Sequence, residues 1–176
     1  MLTVEEIKKI IDEDGWLNTG DLGLLTFDNE IKITGRAKDT IVLLGGENIE
    51  PAVIESELLT SPYIESAIVL GQDQKYLGAL IVPSKENVIA YATENNLDTS
   101  DYEELLKTKE IIDLFDTIIK EKDSTANGFR VCEKIWKFAL LPNSFTVGEE
   151  LSAKQEMMRY KIVEKYADVI KPLFEN

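Results

Sequence analysis

Three short stretches combine side chains and backbone freedom in ways that ligand chemistry uses. The first, Gly15-Trp16-Leu17-Asn18-Thr19-Gly20-Asp21, ends in a carboxylate that two glycines leave room around. A carboxylate so placed can accept two hydrogen bonds from a ribose diol, as in dinucleotide sites. The second, Gly35-Arg36-Ala37-Lys38-Asp39, sets two cations between apolar runs. Arginine offers a planar fork to phosphate or hydroxyl oxygens, and a connector in this position is where a hinge absorbs dihedral change. In the third, Leu44-Gly45-Gly46-Glu47-Asn48-Ile49-Glu50-Pro51, paired glycines precede a helix start, so backbone could approach a ligand closely. Each stretch by itself also reads as an ordinary turn, with Trp16 buried, Arg36 and Lys38 as surface charges, and a glycine pair that only reverses the chain.

Other chemistries are excluded by composition. The 176 residues contain no histidine and one cysteine, Cys132, which removes internal disulfides and the usual zinc and nucleophile–histidine constellations. Cys132 reads as a small buried apolar residue. A formal charge of −14 argues against nucleic acid as a partner, since phosphate contacts need clustered Lys and Arg. No apolar run approaches the length of a membrane span and the start is acidic and amphipathic, so a cytoplasmic setting is expected, with membrane contact only peripheral.

The elements that must position these stretches follow from periodicity. Val4, Ile7, Ile10 and Ile11 share one face of a helix over residues 4–13. Two strands, Leu22 to Phe27 and Glu30 to Thr34, flank Asp28-Asn29, a pair suited to a tight hairpin turn. After the glycine pair, Pro51 opens a helix whose Val53, Ile54, Glu57 and Leu58 lie at helical spacing. Strands are expected over Ile64 to Leu70, Leu77 to Val82 and Ile135 to Leu141. Residues 84–122 are helical by pattern, with Ile111, Ile112, Phe115 and Ile119 on one stripe, and residues 123–128 form a loop. A last helix places Ile162, Tyr166, Val169, Ile170 and Leu173 on one face. The fold class is α+β: a hairpin, then a small domain with a short, mostly antiparallel sheet packed by helices.

In their order and spacing, GWLNTGDLG, GRAKDTIVLLGGENIEP and the following IESEL resemble the carboxy-terminal signature of the adenylate-forming superfamily, in its long-chain fatty acid–CoA ligase version. KFALLPNSFTVGEELS and RYKIVEKYADVI resemble the end of the same subfamily, so the likeness covers nearly the whole chain. The resemblance implies an enzyme that joins a fatty acid to ATP as an acyl-adenylate, then to CoA as a thioester, with Mg2+ as a cofactor held outside this chain. It further implies that Asp21 and Arg36 bind the nucleotide, that Lys38 is the hinge, and that Gly45, Gly46 and Glu47 form the turn presented for thioester formation. Residues 1–38 would then end a large AMP-binding domain, and residues 39–176 would be the mobile lid. The amino-terminal domain of the same protein is the implied partner, and the chain alone is expected to be inactive.

The likeness departs from the family at one place. Where the subfamily carries a lysine that stabilises charge during adenylation, alignment on Leu151-Ser152 and Arg159 through Tyr166 puts Glu156, with Lys154 two residues away as a substitute. Read plainly, SAKQEMMR is a solvated helix start. Two alternatives stand beside the ligase reading: a separate lid-like binding or regulatory protein without catalysis, and a ligase of the same superfamily that uses another acyl group or a carrier-protein acceptor.

Overall fold

The computed structural model describes Ile11 and residues 14–175. The helix expected over residues 4–13 lies outside the described residues, apart from Ile11, which makes an antiparallel bridge to Leu17. The first sheet is a hairpin of β1 (Asp21–Leu25) and β2 (Ile31–Arg36). Its turn is closed by Thr26 and Glu30, whose backbone groups bond at 2.8 Å. Asn29 takes a φ of +60° there, a left-handed conformation that asparagine tolerates better than most residues. A single 3-10 turn, Ala37–Asp39, follows β2 without a break.

Beyond it, β3 (Ile41–Val42) and β4 (Asn48–Ile49) pair antiparallel around the glycine pair, and α1 (Pro51–Leu58) begins with proline at its first turn. Its buried residues are Pro51, Ile54, Glu55 and Leu58, while Val53 is exposed. The inward face is therefore turned from the one expected, so that it takes in Glu55 and leaves Val53 at the rim.

The central sheet has the order β5 (Ile64–Leu70), β6 (Leu77–Pro83), β7 (Ile135–Leu140), with β5–β6 antiparallel and β6–β7 parallel. Strand β6 is buried along its whole length, because both faces of the sheet are covered. On one face Ala67, Val69, Ala79 and Ile81 pack with residues of α1, α2 (Lys85–Glu94), α3 (Tyr102–Leu106) and α4 (Lys109–Lys122). On the other, Ile68, Leu70, Leu80 and Val82 meet Phe145, Ile162 of α5 (Arg159–Lys165) and Leu173 of α6 (Ala167–Phe174). Side chains alternate across a strand, so one apolar run supplies two cores.

Three helical expectations are corrected. The stretch 101–122 divides at Lys107–Thr108, where Thr108 turns extended as the N-cap of α4; Asp101 caps the separate short helix before it by accepting the N–H groups of Glu103 and Glu104. On α4 the buried stripe is Ile111, Phe115 and Ile119, and Ile112 lies exposed beside it. The last helix is two helices meeting at Tyr166, so only Ile162 and Leu173 of the expected face are fully buried and Val169 is exposed.

The hairpin contrasts with this core. Leu24, Leu25, Phe27, Ile31 and Ile33 are all exposed, and among the described residues the buried apolar ones begin at Ile41. Among the described residues no helix is long and apolar enough to cross a membrane.

Candidate functional site

The hairpin register decides where the first two candidate residues stand. Asp21 and Arg36 are Cα partners across β1 and β2, and Nε of Arg36 lies 3.7 Å from Oδ1 of Asp21. Both side chains stay open, at 37% and 52% exposure, so this is a loose pair from which a ligand can take contacts. The approach to Asp21 is held by its own side chains. Asn18 Oδ1 accepts the Gly20 N–H at 2.9 Å, and Thr19 Oγ1 accepts the Asp21 N–H at 3.2 Å. Gly20 has φ +73°, which a residue with a Cβ would adopt only under strain. The Ala37 N–H then donates to the Gly20 carbonyl at 2.9 Å, tying the start of the 3-10 turn to the loop before Asp21. Trp16, expected to be buried, is 75% exposed.

Arg36 and Lys38 both border a cleft of about 940 Å³. Asp39, Thr40 and Glu50 line it on the same stretch of chain, and Ser152, Glu156, Met157 and Arg159 reach it from the far end of the sequence. The segment read as a helix start is instead a tight turn. The Gln155 N–H donates to the Ser152 carbonyl at 2.9 Å, the Ser152 N–H donates to the Glu156 carbonyl at 2.8 Å, and Gln155 has φ +63°. Ser152 Oγ also accepts the N–H groups of Lys154 and Glu156, each at 3.2 Å. A serine that ties down its own backbone competes with helix formation, which is why α5 begins only at Arg159. Glu156 borders the cleft, and Lys154 is not among the residues lining it.

The glycine pair is placed elsewhere. The Gly46 N–H donates to the Leu43 carbonyl at 2.8 Å and the Leu43 N–H to the Glu47 carbonyl at 3.0 Å, with Gly46 at φ +87°. This is a type I turn followed by a left-handed bulge residue, one of the common hairpin closures. A Cβ at Gly45 would meet the Glu47 carboxylate. The pair therefore closes β3–β4 and is separated from α1 by β4, so it does not sit at a helix start. Glu47 faces a second depression of about 610 Å³, shared with Leu43, Lys75, Tyr76, Val131, Cys132 and Trp136. Cys132 is only partly buried; it packs on the core and lines this depression.

Two polar networks escaped the reading of the sequence. Glu55 on α1 is buried and accepts from Arg159, 104 positions away, and from the Val69 N–H at 2.7 Å. Burial pushes its carboxyl up, and the Arg159 charge and the Val69 hydrogen bond offset this only in part. The signal was present: position 55 belongs with 51, 54 and 58 on one helical face. The second network centres on Glu150, which accepts from the Thr146 N–H and hydroxyl, Lys165 Nζ and the Tyr166 hydroxyl. Burial by itself would raise this carboxyl, but the hydrogen bonds from Lys165, Thr146 and Tyr166 win and hold it at about 2.

Comparison with known proteins places this arrangement. The family model described as the AMP-binding enzyme C-terminal domain matches residues 38–176. The chain is 33% identical to the long-chain-fatty-acid–CoA ligase FadD15 of Mycobacterium tuberculosis over 165 residues, covering 93% of this chain and 27% of that protein. It is 41% identical to the chloroplastic long-chain-fatty-acid–[acyl-carrier-protein] ligase AEE15 of Arabidopsis thaliana over 113 residues, covering 57% of this chain and 16% of that one. The adenylation domain of a carboxylate reductase from Mycobacterium chelonae shares the fold, with a TM-score of 0.80 at 23% identity over 98% of this chain and 25% of that one. The chain spans about a quarter of the length of the curated relatives it matches along most of its residues. With a family model matching residues 38–176, the chain belongs to the C-terminal domain family of AMP-binding, adenylate-forming enzymes.

Proposed function

We propose that this chain is the hinge and lid region of a long-chain fatty acid–CoA ligase, active only together with an amino-terminal domain of the same protein. Two reactions share one site in such an enzyme. A fatty acid carboxylate oxygen attacks the α-phosphorus of ATP and pyrophosphate leaves; the CoA sulfur then attacks the acyl carbon and AMP leaves. The adenylate must be shielded from water in the first step and opened to a thiol in the second, and a lid on a hinge meets both needs.

The observation that carries this reading is the division of the candidate residues between two places. Asp21, Arg36, Lys38 and the turn Ser152–Glu156 gather at the hairpin end and the large cleft, and Glu47, which follows the glycine pair, lines a separate depression. A lid that presents a different face to each half-reaction needs such a division. Asp21 and Arg36, open and paired loosely, fit the ribose hydroxyls and the nucleotide oxygens. Lys38 in the 3-10 turn is the hinge, residues 1–38 end the large domain, and residues 39–176 form the lid. The exposed apolar hairpin suits this division, because patches of that kind mark surfaces that another part covers. Glu156 borders the cleft where the subfamily has a lysine, so the charge stabilisation of adenylation falls to Lys154 or to the large domain. Among the described residues no group of three or more His, Cys, Asp or Glu could hold a metal ion, and no step is assigned to Mg2+ on this chain.

A second reading keeps the adenylation chemistry and changes the thiol to that of a carrier protein, favoured by the 41% identity to a ligase of that acceptor. One experiment addresses both. The chain alone, given fatty acid, ATP and CoA, should form no acyl-CoA; joined to the amino-terminal part of a relative, it should form the thioester, with CoA preferred over a holo carrier protein. Preference for the carrier would favour the second reading, and turnover by the chain alone would reject the lid assignment. Arg36→Ala in the joined enzyme should weaken nucleotide use by about 1.5–3 kcal/mol through a lost charge-assisted contact. Unchanged ATP dependence would remove Arg36 from the site.

A further inference from the structure

Glu55 and Arg159 form an arrangement that stability alone does not explain. Nη2 of Arg159 donates to both carboxylate oxygens of Glu55 at 2.5 Å, and its Nη1 donates to the Val69 carbonyl at 3.1 Å. The Val69 N–H donates to Glu55 Oε1 at 2.7 Å. Strand β5 pairs with β6 on one side only, so these two side chains satisfy the outward backbone groups that a further strand would have taken. The side chains are 6% and 20% exposed. A buried ion pair is a weak source of net stability, because desolvation offsets most of its attraction. What a two-pronged guanidinium contact adds is geometric definition.

The piece most in need of definition is the turn Ser152–Glu156. It belongs to no ladder: only the bridges Val147–Leu151 and Leu151–Met157 flank it, and residues 153–156 are exposed. Its hydrogen bonds from Ser152 shape the turn but do not fix it to the domain. Fixing comes from the flanks. Before the turn, Glu150 is held by Thr146, Lys165 and Tyr166, and its carbonyl accepts the Met158 N–H at 2.8 Å. After it, Met157 packs on the core cluster that contains Ile68 and Leu70, and Arg159 carries the polar contacts to α1 and β5. Glu55, Val69, Arg159, Ser152 and Glu156 all line the cleft that Arg36 and Lys38 also border.

We propose that Glu55 and Arg159 are a positioning pair: they hold the turn Ser152–Glu156 against the hinge side of the cleft, and so support adenylation while leaving thioester formation at the Gly45–Glu47 face little changed. The assignment to adenylation rests on the ligase reading above, whereas the holding of the turn does not.

Two measurements test it on Arg159→Met, Arg159→Lys and Glu55→Gln, the last preserving side-chain size should removal of the arginine prevent folding. In this chain, amide hydrogen exchange at residues 152–158 should speed up about tenfold or more in Arg159→Met and Glu55→Gln, with less than about a twofold change over Leu77–Pro83. Arg159→Lys, which keeps the charge and one bond, should recover part of the protection. In the joined ligase, kcat for ATP–pyrophosphate exchange should fall about tenfold with KM for ATP within about twofold, and thioester formation from supplied acyl-adenylate should stay within about twofold. Unchanged exchange at 152–158, or equal loss over Leu77–Pro83, would overturn the positioning role. Both half-reactions falling together would overturn its link to adenylation. If the unmodified joined protein makes no acyl-CoA, the ligase reading fails by itself, and hydrogen exchange still decides whether the pair holds the turn.

Discussion

The hairpin β1–β2 and the sheet β5–β6–β7 are built from the same kinds of residue and end in opposite environments. Leu24, Leu25, Ile31 and Ile33 alternate with polar neighbours or crowd together at the open hairpin, and all four are exposed. In Leu77–Pro83 every residue is buried, because helices cover one face of the sheet and the chain's last segments the other. The sheet region thus completes its own core, and the hairpin does not. Five large apolar side chains left outside form the kind of patch that marks a surface for another part, in keeping with the proposed place of the hairpin at the end of a larger domain.

Substitutions can sharpen that contrast. Phe115 is fully buried on α4, and Phe115→Ala should destabilise the chain by about 3–5 kcal/mol in urea denaturation. A loss below about 1 kcal/mol would mean that the helical face contributes far less than its burial implies. Glu150→Gln should cost about 1–3 kcal/mol, less than its full network suggests because Lys165 remains 45% open to solvent. Its pH dependence has a definite sign. Folding holds the carboxyl at about 2, below its ordinary 4.5, so its stabilisation is present above pH 4.5 and is lost as pH falls from there towards 2. Stability measured over that window should flatten in Glu150→Gln; an unaltered slope would show that Glu150 is not its source. The smallest effect belongs to the hairpin. Ile33, 62% exposed, changed to Thr should move the stability of this chain by no more than about 0.5 kcal/mol, and a loss comparable to Phe115→Ala would show that the hairpin is part of the core after all.

Local chemistry made much of the fold legible. Asp28-Asn29 announced the hairpin turn, and the run Ile64–Leu70 became a strand with the expected bounds. Pairing Asp21 with Arg36 needs only that turn and a count along both strands. Much of what escaped was set by distant partners. Tyr166 breaks the last helix where its hydroxyl meets Glu150, 16 residues earlier, and nothing in RYKIVEKYADVI marks the place. Lys107–Thr108 breaks another helix without glycine or proline, where Thr108 turns extended and its hydroxyl donates to the Leu105 carbonyl. The Glu55–Arg159 pair joins elements 104 positions apart, beyond the reach of any periodicity. For the glycine pair, the residue types correctly indicated a sharp turn, but only the register of β3 with β4 shows that it is a hairpin closure away from the cleft.

Lys38 is the proposed joint between these two unlike regions. Proline at that position would restrict the 3-10 turn that links β2 to the lid. In the joined ligase, Lys38→Pro should impair one half-reaction about tenfold or more while the other stays within about threefold, as measured by ATP–pyrophosphate exchange and by thioester formation from supplied acyl-adenylate. Equal loss in both half-reactions, or no loss in either, would contradict the hinge.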